Sequence, residues 1–258
     1  MSWAKFGVRL LAFFGLASFL VLLSPFLLFS ALLFVPGHRG RGGRLRSLYV
    51  AWVYRSPLLY ELHSLMCTFP VWDDTFENIG TLRGLVLYLA CGTGNGAAVL
   101  QRHGARLVCA DVNARFLRWG LRRKKVHRPV VADAYSLPFR TECFDHIVIA
   151  VSLHHLLDLP RLMEECSRTV RREGSIILYD PVSVRPRTCR ISNTFHDGPI
   201  WLFDRESMRA RVTTEAGRVG LTVADVSFYR PASIQNFNPV YPMVEMRLAL
   251  QPLNALRH

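Results

Sequence analysis

The feature that most constrains this chain is a junction between two kinds of backbone. The apolar run Leu85–Ala90 passes directly into Cys91-Gly92-Thr93-Gly94-Asn95-Gly96-Ala97. A short apolar run bounded by a glycine turn reads as a buried strand, and the residues that follow, to about His103, read as a helix. Glycines in such a turn permit positive φ and let backbone N–H groups approach a ligand closely. A lone G-x-G-x-x-G/A match is weak, and it gains meaning from an acidic residue about 20 positions on, at the end of the next strand. Asp111 stands 19 residues after Gly92, within Cys109-Ala110-Asp111-Val112-Asn113. A carboxylate there can accept both hydroxyls of a ribose, which points to a nucleoside ligand.

The body keeps this rhythm. Ala105–Asp111, Val130–Asp133, Phe144–Val151 and Ser175–Asp180 read as strands, and Asn113–Lys125 and Pro160–Val170 as helices. Such alternation builds βαβ units, so the fold class is α/β: a Rossmann-like, doubly wound, mostly parallel sheet. The rhythm changes near the end. Asp204 is placed to N-cap a helix running to about Val219, before Gly220. Leu221–Phe228 and Val244–Leu250 then follow as strands with no helix between them, which predicts an antiparallel C-terminal strand. Residues 181–203 lack periodicity and read as a long loop of the lid or binding kind. Its Phe195, His196, Trp201 and Phe203, with Tyr49, Trp52, Tyr54 and Tyr60 of a helical preamble at about 47–80, could wall an apolar pocket.

Further motifs follow in order: Asp133-Ala134, then Leu137-Pro138-Phe139, Phe144-Asp145 and His154-His155-Leu156. With the glycine turn and Asp111, this set resembles the class I S-adenosylmethionine-dependent methyltransferases, in particular the ubiquinone/menaquinone-type and related small-molecule enzymes. The likeness covers roughly residues 85–225. It implies S-adenosyl-L-methionine as cofactor, with Ala90, Cys91, Gly92, Thr93, Gly94 and Gly96 around its methionine end. It further implies Asp111 on the ribose, Val112 against adenine, Asp133 and Ala134 at the adenine edge, and Val151 near the sulfonium. Members usually carry an acidic residue where this chain has Tyr88, which either weakens cofactor binding or simply packs under the loop. His154 and His155 are candidate bases for an acceptor that must lose a proton, and Asp180 and His196 are comparable candidates.

The amino-terminal end asks for something else. Leu10–Val35 is 26 residues without a charge. As a helix it would span about 39 Å, against about 30 Å of bilayer hydrocarbon, and it is too long for a signal peptide. The division is therefore an N-terminal membrane anchor over residues 1–36, a basic Gly/Arg linker over 37–46 and one catalytic domain over 47–258. The chain carries 32 Lys plus Arg against 19 Asp plus Glu, a net charge of +13. Arg39, Arg41, Arg44, Arg46 and Arg55 after the run outweigh Lys5 and Arg9 before it, placing the body on the cytoplasmic side, or in the mitochondrial matrix. The second basic group, Arg118, Arg122–Lys125 and Arg128, is expected at the end of its helix remote from the cofactor, which weakens nucleic acid as partner and suits a solvated or membrane-facing patch. The cysteines are scattered without a C-x-x-C pair, so no metal site is expected.

The reading is a membrane-anchored methyltransferase acting on a hydrophobic or lipid-like small molecule. Its rivals are an RNA methyltransferase, favoured by the charge, and a catalytically inactive methyltransferase-like assembly factor, favoured by Tyr88.

Overall fold

The computed structural model describes residues 52–66, 72–182, 187–191, 198–229 and 243–250. The expected anchor and linker lie outside the described residues, as do Tyr49, Phe195 and His196. Among the described residues no helix is long and apolar enough to cross a membrane.

Residues 52–55 are helical. They lead into α1 (Pro57–Met66), α2 (Trp72–Thr75), β1 (Leu85–Leu89), α3 (Ala97–Arg102), β2 (Arg106–Asp111), α4 (Ala114–Arg122), β3 (Pro129–Val131) and β4 (Phe144–Ala150). A 3-10 turn at Leu153–His155 precedes α5 (Leu159–Thr169) and β5 (Val170–Pro181). The remainder is β6 (Arg187–Ile191), β7 (Gly198–Leu202), α6 (Arg205–Arg218), β8 (Leu221–Tyr229) and β9 (Met243–Leu250).

Seven strands form one sheet in the order β3-β2-β1-β4-β5-β9-β8. The first five are parallel, and β9 runs against both β5 and β8. The α/β class and the antiparallel ending are as the sequence predicts. Successive side chains of a strand point to opposite faces. In β1, Leu87 and Leu89 therefore enter a core shared with Leu162, Met163 and Cys166 of α5 and Met208 and Val212 of α6. Val86 and Tyr88 enter the opposite core with Phe76, Ile79, Leu100 and Leu117. Burial on both faces is why the strand reads as a continuous apolar run.

Local chemistry starts the helices. Asp204 accepts from the Ser207 N–H at 2.8 Å, as expected of a cap, and Asn113 accepts from the N–H groups of Arg115 and Phe116 at the start of α4.

Three expectations are corrected. Residues 181–203 are not one loop: β6 and β7 pair with each other as a separate two-stranded sheet. Five-residue strands that pair only with each other leave little periodicity to read. Next, β5 begins at Val170, five residues before Ser175, because its polar start, Arg171-Arg172-Glu173, lies at the outer end of the strand. Finally, α4 ends at Arg122 rather than Lys125, and the chain turns through Lys124 at φ +57°. Pro129 then enters the sheet opposite Cys109, in the C-terminal half of β2. Lys125, the last of the run 122–125, therefore does not lie remote from the glycine turn. A Cβ at Gly94 would come within 2.9 Å of the Lys125 carbonyl oxygen.

Candidate active site

The order β2-β1-β4-β5 puts four chain segments side by side at the C-terminal edge of the sheet. With strands about 4.8 Å apart, Asp111, the glycine turn, His154 and Asp180 are spread over about 15 Å of that edge. The sheet order reverses at β1/β4, which is where α/β folds bind ligands.

The turn is shaped by backbone. Ala90, Gly92 and Gly94 have φ of +52°, +58° and +82°. The Gly92 N–H donates to Asp111 Oδ2 at 2.8 Å, and the Asn113 N–H donates to Oδ1 at 2.8 Å. Asp111 is thus pinned by the loop it faces. Burial holds its carboxyl above the usual range, although both backbone bonds pull the other way. Each of its oxygens retains a second lone pair for a hydroxyl. Beside it, Thr93 Oγ1 is buried without a partner among the described residues. Cys91 is buried and contributes backbone only, its side chain turned into the core under the loop.

Tyr88 is fully buried and packs beneath this loop. A Cβ on Gly96 would lie 2.8 Å from the Tyr88 hydroxyl and 2.9 Å from Phe76 and Trp72, so only glycine fits above it. Of the two readings of Tyr88, the structure meets the packing one. Its hydroxyl is raised far above the ordinary phenol range by burial, so it brings no charge to the loop.

The preamble closes over the edge. The Tyr60 hydroxyl lies 3.4 Å from where a Cβ of Gly92 would be, and its ring centroid is 4.7 Å from that of Phe116 on α4. Tyr54 lies 6.2 Å from Phe116, ring to ring, and its hydroxyl is 3.1 Å from His155 Nε2. Burial and the nearby Asp111 charge both raise the Tyr54 hydroxyl. The sequence marks these tyrosines as pocket aromatics but offers no sign that they sit on the glycine turn.

The remaining expected residues divide. Val112 is half exposed beside Asp111, and Val151 follows β4 with φ +55°, an unusual backbone for a β-branched residue. Asp133 is exposed after β3, its Oδ1 accepting from the Tyr135 N–H, while Ala134 is buried. Both sit on the far side of Asp111 from the turn. His154 Nδ1 lies 3.0 and 3.1 Å from the two oxygens of Asp180. The neighbouring motif Leu137-Pro138-Phe139 is structural: Arg168 donates to the carbonyls of Leu137 and Phe139, and Glu165 accepts from the Leu137 N–H.

The methyltransferase domain family matches residues 87–178, a span that runs from the middle of β1 into β5.

Over 97 residues the chain is 33% identical to the demethylmenaquinone methyltransferase of Thermotoga maritima, covering 37% of this chain and 42% of that one. Over 148 residues it is 30% identical to the ubiquinone/menaquinone biosynthesis C-methyltransferase UbiE of Xylella fastidiosa, covering 52% and 58%. The chain thus spans about half the length of the curated relatives it matches. The geranyl diphosphate C-methyltransferase of Streptomyces coelicolor, at 16% identity, superposes on 85% of this chain and 87% of its own with a TM-score of 0.53. At that identity the likeness shows the fold alone.

Proposed function

We propose that the chain is a membrane-anchored, S-adenosyl-L-methionine-dependent methyltransferase whose acceptor is a hydrophobic or lipid-like small molecule. The observation that carries this reading is the pinned Asp111, facing a glycine turn in which Thr93 Oγ1 lacks a partner among the described residues. A buried hydroxyl without a partner costs free energy, and a polar ligand at the loop would relieve it. The residues fit the cofactor: Ala90–Gly96 would hold its methionine end, Asp111 its ribose hydroxyls, Val112 and the Asp133-Ala134 pair its adenine, and Val151 would flank the sulfonium.

When bound, the cofactor supplies a methyl group already activated for displacement. The chain's own work is alignment and exclusion of water. Tyr54 and Tyr60 cover the edge, and His154 and His155 stand beside it to hold a proton. The activities of the relatives support a quinone-like acceptor, and the charge-free run Leu10–Val35 supports its delivery from a bilayer, with the body facing the cytoplasm or the mitochondrial matrix.

The test is incubation of the detergent-solubilised chain with methyl-labelled donor and a membrane lipid extract. Label should enter the lipid fraction. Label entering only added tRNA would replace this reading with the RNA one. Absence of donor binding by calorimetry would support instead an assembly factor that kept the fold without turnover.

A further inference from the structure

Two histidines stand at this edge, and their surroundings assign them different work. His155 Nε2 is met by the Tyr54 hydroxyl at 3.1 Å, which ties it to the cap. His154 is held from the opposite side of its ring. Its Nδ1 lies between both oxygens of Asp180, a carboxylate with no exposed surface at the end of β5. The same oxygens accept from the backbone N–H groups of Leu153 and His154, each at 3.1 Å. An acceptor-only group at Nδ1 requires the proton to be on Nδ1, which leaves the Nε2 lone pair free. Among the described residues Nε2 of His154 has no hydrogen bond.

His154 also lines a small cavity of about 50 Å³, shared with Leu156, Leu159, Phe203, Met208 and Arg211. Its wall is apolar apart from the histidine and Arg211, whose guanidinium stands 5.1 Å over the Phe203 ring. The volume is on the order of one or two waters, enough for a small apolar fragment of a larger molecule lying along the edge. An oriented imidazole in a wall that is apolar but for Arg211 suits a neutral group that must give up a proton.

We propose that His154 is the catalytic base of this site, that Asp180 is its positioning residue, and that the acceptor is a neutral hydroxyl or acidic carbon on an apolar molecule. This rests on the methyltransferase reading above. The acceptor's O–H or C–H bond breaks and its proton bonds to Nε2. The electron pair left on the acceptor forms the new bond to the methyl carbon, as the carbon–sulfur bond yields its pair to sulfur. The proton remains on His154 as an imidazolium facing the Asp180 carboxylate, and the positive charge that leaves sulfur reappears there.

The first measurement needs neither donor nor acceptor. Nitrogen NMR of the full chain, labelled at histidine, should show His154 with its proton on Nδ1, and Asp180→Asn should abolish that preference. A proton on Nε2 in the unmodified chain overturns the proposal whether or not the protein turns over. The second uses labelled donor with membrane lipid extract. His154→Gln should retain donor binding by calorimetry and lose at least 100-fold in transfer, the low end of what a positioned base contributes. Retained transfer in His154→Gln, or a product methylated on nitrogen, overturns the base while leaving the methyltransferase reading intact. An unmodified chain that binds no donor overturns that reading instead, and the NMR result still decides the tautomer.

Discussion

Lys125 joins the cap to the glycine turn: its Nζ lies 2.8 Å from Glu61 Oε2 on α1 and 2.7 Å from Asn95 Oδ1 in the turn. The early end of α4 makes this possible, because the chain leaves the helix beside Gly94 instead of at the opposite edge of the sheet. The ammonium is about a third exposed, so water screens the pair and its worth is at most about 1 kcal/mol.

Lys125→Ala should therefore leave global stability almost unchanged and loosen α1 selectively. Hydrogen exchange across residues 57–66 should quicken several-fold, with the strands unaffected. Uniform exchange across the chain would show that the pair does not hold the cap.

Glycine positions separate packing from conformational freedom. A Cβ at Gly120 in α4 would collide with the Thr93 carbonyl and with Val126, whereas a Cβ at Gly217 in α6 meets nothing within 4 Å. Gly120→Ala should lower stability by about 1–3 kcal/mol and weaken donor binding, since the displaced carbonyl belongs to the glycine turn. Gly217→Ala should raise stability by about 0.5–1 kcal/mol, the cost of a glycine inside a helix. Denaturant midpoints for the two variants check the opposite signs.

Tyr88→Asp would restore the acid usual at this position, yet the surroundings no longer suit it. The shorter side chain leaves a void beneath Gly96 and adds a buried carboxylate near Asp111. The expected outcome is a loss of at least about 3 kcal/mol, read as a lowered melting temperature, without improved donor binding.

Glu165 gives a pH test of the clamp on Leu137-Pro138-Phe139. Its hydrogen bond with Arg168, at 2.6 Å, holds the carboxyl below the usual glutamate value of 4.5, helped by the Leu137 N–H and opposed by partial burial. A depressed carboxyl stabilises the fold when ionised. The contribution is present above about pH 4.5 and disappears as pH falls through the folded-state value. Glu165→Gln should cost about 1 kcal/mol at pH 7 after allowance for screening. The gap between the two chains should close in acid, as measured by urea unfolding at stepped pH.

How far the sequence speaks depends on how local the cause is. The strand and glycine turn at 85–96, the Asp204 cap and the paired final strands rest on residues close in sequence, and the structure agrees to within a residue or two. Asp111 is legible because one side chain serves one loop at a fixed spacing. Tyr60 over Gly92 joins residues 32 apart, and His154 with Asp180 joins residues 26 apart. Those pairings depend on how α1 lies and on β4 adjoining β5, which no periodicity encodes. The misplacement of Lys125 has the same origin: a helix one turn shorter than expected brings it to the glycine turn.

The position of β9 has a consequence for how the molecule is made. It follows every other described element in the chain yet lies inside the sheet, between β5 and β8. Until residues 243–250 leave the ribosome, β8 has no partner in the sheet and β5 presents an open apolar edge able to recruit a strand from another chain. Completion of the fold thus waits on a strand reached through residues 230–242, and a nascent chain stalled before them carries the glycine turn and both histidines on an unfinished sheet.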